Sequence, residues 1–309
     1  MKVLIATEKP FAKVAVEGMK KEIQKAELEV VLLEKYSDKA ELLKAVQDVQ
    51  AIIIRSDIID KEVLDVAKDL KLVVRAGAGY DNIDLDVATA KGVCVMNTPG
   101  QNSNAVAELV FGLLVMAIRN NFNGTSGCEL KGKKLGIHAC GHVGKNVVRI
   151  AKGFDLEIYA FDPYANEEEM KKEGVIMLPT VEKLYETCNF ISLHLPFTCE
   201  TGKSISADLM RKMPENGILI NTARKEVIDE EGLISILKER KDLKYYTDIK
   251  PSASAQFNEL FAAEGRYFET PKKMGAQTAE ANIYAGIAAA KQTVEYLKEG
   301  IARFQVNKC

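Results

Sequence analysis

The sequence predicts an α/β fold with two doubly wound, parallel-sheet domains. Three observations carry that prediction. Short apolar runs alternate with helical stretches along the chain. The runs are nearly continuous in apolar residues, as parallel strands buried on both faces require. Pro99-Gly100 interrupts the series once, and a second series begins at Lys134. At 309 residues the chain is long enough for two units with a core each.

Lys2–Thr7 is the first β-rich run. Phe11–Lys25 follows, with Phe11, Val14, Val16, Met19 and Ile23 at helical spacing. Strands are expected at Glu29–Leu33, Ala51–Arg55, Leu72–Arg75 and Val93–Met96, with helices at Asp38–Val49 and Lys61–Asp69. Parallel neighbours need such crossovers, which are almost always right-handed. After the Pro-Gly break, Ala105–Arg119 reads as a helix apolar on most faces, hence buried against another domain or a second subunit. The second series expects strands at Leu135–Ala139, Glu157–Phe161, Phe190–Leu195, Gly217–Asn221 and Leu243–Asp248. Its helices are expected at Val143–Gly153, Val181–Thr187, Ala207–Met213 and Glu230–Arg240, with a last one at Ala279–Lys298. No solenoid-length repeat is present.

Composition narrows the function. Lys and Arg number 42 against 44 Asp and Glu, for a net charge of −2, so no nucleic-acid partner is expected. An apolar share of 47% is that of a globular chain. No window approaches the ~18 apolar residues of a membrane span. The start, Met1-Lys2-Val3-Leu4-Ile5-Ala6-Thr7, turns polar at Glu8, too soon for a secretory leader, so a cytoplasmic protein is expected. The cysteines at 94, 128, 140, 188, 199 and 309 form no C-x-x-C and no zinc spacing, which predicts reduced thiols and no metal. Most read as small buried residues. Only His138, His142 and His194 are available for general-base chemistry.

Chemistry first surfaces between a strand and a helix. Ala139-Cys140-Gly141-His142-Val143-Gly144 matches the dinucleotide fingerprint G-x-G-x-x-G with its first glycine replaced by alanine. Gly141 is expected to let the backbone approach a pyrophosphate, and Gly144 to let the helix pack on the strand. The helix N-terminus offers amide donors to the phosphates. Asp162 ends the next strand, 21 residues beyond Gly141. There it accepts from a ribose and repels a 2′-phosphate, so NAD is expected rather than NADP. His142 reads as a pyrophosphate-side loop residue and His138 as a satisfied core histidine.

Further motifs are Val74-Arg75-Ala76-Gly77-Ala78-Gly79-Tyr80-Asp81-Asn82-Ile83-Asp84, Asn97-Thr98-Pro99-Gly100-Gln101-Asn102-Ser103 and Ala107-Glu108-Leu109. Others are Phe161-Asp162-Pro163-Tyr164, His194-Leu195-Pro196-Phe197-Thr198 and Ile220-Asn221-Thr222-Ala223-Arg224. By these residues the chain resembles the D-2-hydroxyacid dehydrogenases, and within them the branch acting on 3-phosphoglycerate. The resemblance implies a Rossmann-type NAD domain, residues 99–281, inserted in a flavodoxin-like substrate domain, residues 1–98 and 282–309. It also implies a short form without regulatory domains, and a homodimer through the NAD domain.

The implied cofactor contacts are Asn102, Gly141, His142, Val143, Gly144, Asp162, His194, Pro196, Thr198, Thr222, Ala223, Asp248 and Gly275. The implied contacts to a phosphorylated 2-hydroxy acid are Arg55, Ser56, Ala78, Gly79, Asn102 and Arg224, with Lys9 a further candidate for the phosphate. Arg224 directly follows a strand, at the edge where α/β sites form. Its planar, permanently charged fork suits a carboxylate and a developing oxyanion. The small residues around Ala78 and Gly79 leave backbone amides open to an anion.

Two departures bear on the chemistry. The family pairs a histidine with a glutamate. Here Ala253 stands in the glutamate's place, and Lys273, counted back from Gly275, stands in the histidine's. The chain is then either a protein that has lost its base or an enzyme whose base is Lys273. The paired change favours the enzyme. A lysine base needs its pKa lowered from about 10.4, and an adjacent glutamate opposes that. On this reading Lys273 takes the 2-hydroxyl proton, Arg224 holds carboxylate and carbonyl oxygen, and domain closure excludes water. The alternatives are another D-2-hydroxy acid, such as glycerate or lactate, and a non-catalytic NAD(H)-binding interaction protein.

Overall fold

Two all-parallel sheets organise the chain in a computed structural model that describes residues 1–307. Lys308 and Cys309, within the domain span expected to end at 309, lie outside the described residues. The chain divides into two compact units, Met1–Asn102 with Gln277 onward, and Ser103–Ala276.

In the first unit β1 (Lys2–Thr7), β2 (Glu29–Glu34), β3 (Ala51–Ile54), β4 (Leu72–Arg75) and β5 (Cys94–Asn97) lie in the order β2-β1-β3-β4-β5. Alternate residues feed opposite faces. Val3, Ile5, Ile53 and Val74 pack with α1 (Lys13–Lys25) and the last helix, Ala279–Glu299. Leu4, Ala6, Ile52 and Val73 pack with α2 (Lys39–Ala45), α3 (Lys61–Val66) and α4 (Leu85–Ala90). Asp38, Asp60 and Asp84 cap these three helices by accepting from Ala40, Val63 and Val87 amides. Doubly wound sheets bind ligands where the strand order reverses. Here that is the carboxyl edge at β1 and β3, which carries Arg55 and Ser56.

The second unit opens with α5 (Ser103–Ile118). Its strands are β6 (Lys134–His138), β7 (Glu157–Phe161), β8 (Ile176–Met177), β9 (Phe190–Leu193), β10 (Ile218–Asn221), β11 (Lys244–Thr247) and β12 (Tyr267–Glu269), in the order β12-β11-β10-β9-β6-β7-β8. The order reverses at β6, beside β9, so the crevice of this sheet lies over the β6 turn. The crossovers are α6 (His142–Lys152), α7 (Glu167–Lys172), α8 (Val181–Thr187), α9 (Ala207–Arg211), α10 (Glu230–Glu239) and α11 (Ser254–Phe257).

The edge strands β8 and β12 span two and three residues, too few to show a pattern in the sequence. One apolar face of α5 packs within its own unit: Val110, Phe111, Leu114 and Ala117 share a core with Leu135, Ile137, Val147 and Val148, while Val106, Leu109, Val115 and Met116 are half-buried. The compact units divide after Asn102 and before Gln277. The Thr98 amide still donates to Gly77 O at 2.9 Å, and Thr278 caps the last helix through the Ala281 amide. Of the described cysteines, Cys94, Cys140 and Cys188 are buried, whereas Cys128 and Cys199 are exposed. Among the described residues no helix is long and apolar enough to cross a membrane.

Candidate active site

The turn from β6 into α6 is built almost entirely from backbone. Ala139, where the fingerprint's first glycine is missing, takes φ +75°, the left-handed region that disfavours a side chain. A Cβ on Gly144 would lie 2.6 Å from the Ala139 carbonyl oxygen and 3.1 Å from Ile137 Cγ2, so helix and strand touch there. A Cβ on Gly141 would meet nothing within 4 Å. Open space therefore stands over the first turn of α6. A helix start leaves its first amides without acceptors in the helix, here those of His142, Val143 and Gly144. His142 is exposed beside them.

Asp162 closes the turn. Its Oδ2 accepts from the Cys140 amide at 2.7 Å and its Oδ1 from the Tyr164 amide at 2.8 Å. The carboxylate is thus fixed at the end of β7. Burial, reinforced by the neighbouring carboxylate, pushes the Cys140 thiol up to about 11, so it stays protonated.

The strand ends beside the turn carry two half-buried histidines, His138 and His194. His138 packs edge-on against Phe161 and Tyr185. The His194 amide donates to His138 O at 2.9 Å, and its Nε2 lies 2.9 Å from Ser192 Oγ. Burial lowers His138 to about 4 and His194 to about 3, the latter helped by His138. Both are neutral near pH 7. Pro196 and Thr198 are exposed on the following loop, which Thr201 holds by donating to Pro196 O at 2.6 Å and accepting from the Thr198 amide at 2.8 Å.

Arg224 and Lys273 follow β10 and β12 on the same carboxyl edge. Buried Asn221 holds the Arg224 turn: its Oδ1 accepts from the Ala223 amide at 3.0 Å and its Nδ2 donates to Arg224 O at 2.9 Å. The half-buried Arg224 guanidinium donates to Ala223 O at 2.9 Å. Thr222 Oγ1 is buried without a hydrogen-bond partner. Lys273 is exposed on the loop after β12. Asp248, at the end of β11, accepts from the Met274 amide at 2.7 Å and the Gly275 amide at 2.8 Å. At the place of the missing glutamate, Glu230 accepts from the Ser252 and Ala253 amides at 2.8 and 2.7 Å. The sequence gives Asn221, quoted only within the Arg224 motif, and Glu230 no role of their own. Their one signal, a polar residue at a strand end or helix start, is too common to single them out.

These features suit a dinucleotide. The open helix start, the close approach at Gly144, the acid at the end of β7 and the orphaned Thr222 hydroxyl lie on one sheet edge around its reversal point. Of the expected cofactor contacts, Gly141, His142, Val143, Gly144, Asp162, His194, Pro196, Thr198, Thr222 and Ala223 lie on that edge. The Asp248 carboxylate is bonded to the loop that carries Gly275.

In the first unit the Arg55 guanidinium donates to Asn282 Oδ1 at 2.5 Å, lies over the Phe11 ring at 5.3 Å and reaches Pro10 O at 3.4 Å. Burial lowers its pKa. Ser56 is exposed. Buried Asp57 ties the strand ends together, accepting from the Glu8 and Arg55 amides and the Tyr36 hydroxyl. Asn97 donates to Ala78 O at 2.7 Å, which steadies the Ala78–Gly79 loop. Asn102 is half-buried at the end of this unit's first segment.

Comparison with known proteins bears on this arrangement. Residues 115–271 match the model of the D-isomer specific 2-hydroxyacid dehydrogenase family, NAD binding domain. A D-3-phosphoglycerate dehydrogenase of Methanocaldococcus jannaschii is 35% identical over 87% of this chain, which spans 54% of that protein's length. A hydroxypyruvate reductase of Thermotoga maritima is 33% identical over 86% of this chain and 90% of its own. The crystal structure of NAD+-bound 3-phosphoglycerate dehydrogenase from Entamoeba histolytica aligns with a TM-score of 0.88 at 47% identity, covering 100% of this chain and 99% of that one.

Proposed function

This chain belongs to the D-isomer specific 2-hydroxyacid dehydrogenase family, with NAD as its cofactor, and from that premise we propose that it oxidises 3-phospho-D-glycerate to 3-phosphohydroxypyruvate, the entry step of phosphorylated serine synthesis. The observation that carries the reading is the placing of Lys273. Met274 and Gly275, directly after it, are bonded to Asp248 at the end of β11. That anchor makes the glycine end of the loop the one to count from, and the count arrives at Lys273. Arg224 lies on the same edge, two strands away across the order β10-β11-β12.

Lys273 accepts the proton of the 2-hydroxyl. Arg224 holds the carboxylate and the oxygen at C2, where its fork meets the charge that develops as the carbonyl forms. NAD+ supplies the acceptor for the hydride leaving C2. Arg55 is the cation offered to the phosphate, with Ser56 and the Ala78–Gly79 amides as neutral donors. A cytoplasmic homodimer belongs to the same reading and is checked by sedimentation.

The test is NADH formation from 3-phosphoglycerate by the wild type, Lys273→Ala and Lys273→His. Turnover by wild type and its loss in Lys273→Ala are expected. Undiminished turnover in Lys273→Ala ends the base assignment. The T. maritima relative, named for hydroxypyruvate, favours one second reading, an unphosphorylated acid. Faster turnover of D-glycerate than of 3-phosphoglycerate selects it.

A further inference from the structure

Asp248 is a carboxylate only 1% exposed, and a charge so buried must be met by donors. Three donors meet it, all from the loop that carries Lys273: Thr270 Oγ1 at 2.7 Å, the Met274 amide at 2.7 Å and the Gly275 amide at 2.8 Å. The near end of that loop is held as well. The Thr270 amide donates to Thr247 O at 3.0 Å, and its hydroxyl also lies 2.8 Å from Lys272 O. A hydroxyl has one proton, so Thr270 shares it between the carboxylate and the Lys272 carbonyl. Only Pro271, Lys272 and Lys273 span the gap between the two anchors. The far anchor tolerates little change, because a Cβ on Gly275 would stand 3.1 Å from Asp248 Oδ2 and 3.2 Å from Val106 Cγ2.

We propose that Thr270 and Asp248 form a positioning pair for Lys273, fixing the register of the loop so that this lysine, and not Lys272, is presented to the substrate. The proposal rests on the reading of Lys273 as the base. Both residues act through Lys273 and neither touches the reacting atoms.

Thr270→Val keeps the shape of the side chain and removes its hydroxyl. Its kcat is expected to fall about tenfold or more, since small misplacements of a catalytic group are costly. KM for the hydroxy acid and for NAD+ should stay within about twofold of wild type, and Thr270→Ser should restore kcat to within about threefold. In a Lys273→Ala background Thr270→Val should cause no further loss. A wild-type kcat in Thr270→Val overturns the proposal, as does a parallel rise in KM for NAD+ or an equal loss in the Lys273→Ala background. If Lys273→Ala turns over normally, the base assignment fails and the positioning role with it. If Lys273→Ala is inactive while Thr270→Val is normal, the positioning role alone fails. Hydrogen exchange in the wild-type protein gives a check independent of any variant's folding. The Met274 and Gly275 amides should be protected, and free exchange at both removes the clamp.

Discussion

Two loops of the second unit, the β6–α6 turn and residues 270–275, are built by opposite means. The first gains its shape by subtraction. Gly144 brings helix and strand into contact, Gly141 leaves space, and only Asp162 contributes a side chain. The second gains its shape by addition, with buried Asp248 and Thr270 holding three donor groups and a strand end together. A cradle for phosphates needs bare amides at fixed spacing. A loop that presents one cationic side chain needs its neighbours tied down. A glycine-built loop is therefore sensitive to what is added, and a clamped loop to what is removed.

The sharpest test of this contrast is Lys273→Ala. It should lower kcat by roughly 10²–10⁴, the usual worth of a general base, while NAD+ affinity measured by calorimetry is unchanged. A matching loss of NAD+ affinity shows that the two loops are not separate devices.

Acid probes the strand ends beside the cradle. His138 and His194 have folded pKa values lowered to about 4 and about 3 by burial, against about 6.5 in the unfolded chain. As pH falls, the unfolded chain takes up protons first, so stability is whole above about 6.5 and drains away toward pH 4 and 3. Each histidine contributes on the order of a few kcal/mol over that window. Urea midpoints measured from pH 7 to pH 4 should fall steadily, and His138→Phe should flatten part of the slope.

The two cradle glycines should separate next. Gly144→Ala forces a methyl against a backbone oxygen and should cost about 1–3 kcal/mol of stability, together with NAD+ affinity. Gly141→Ala fills open space, so Tm should hold while NAD+ binding weakens roughly tenfold. Equal Tm losses in both would mean that the space over Gly141 is not kept for a ligand. Smallest is Ala139→Gly, which relieves a left-handed alanine. Set against glycine's greater freedom in the unfolded chain, it should raise stability by about 0.5–1 kcal/mol in a denaturant titration.

The same contrast accounts for what could be read in the sequence. The cradle was visible because glycine spacing and the acid 21 residues on are local patterns. The sheet interiors were visible as continuous apolar runs, such as Ala51–Ile54 and Ile218–Asn221. The edge strand β12 was not, because three residues carry no period and their partners are 22 positions away, as in Tyr245↔Tyr267. The clamp escaped for the same reason. Asp248 and Thr270 are 22 residues apart and become neighbours only through the pairing of β11 with β12. Lys273 could be named only by counting from Gly275 against a family pattern, and the Asp248 hydrogen bonds supply the physical reason for counting from that end.

Glu230 bears on what a new side chain at position 253 would meet. Its two carboxylate oxygens are bound to the amides of Ser252 and Ala253, where the family's glutamate would otherwise stand. A second carboxylate introduced at 253 begins beside this existing negative charge, and like charges in a partly buried place repel strongly. Ala253→Glu with Lys273→His therefore sets the new acid against Glu230, a cost that neither position reveals alone.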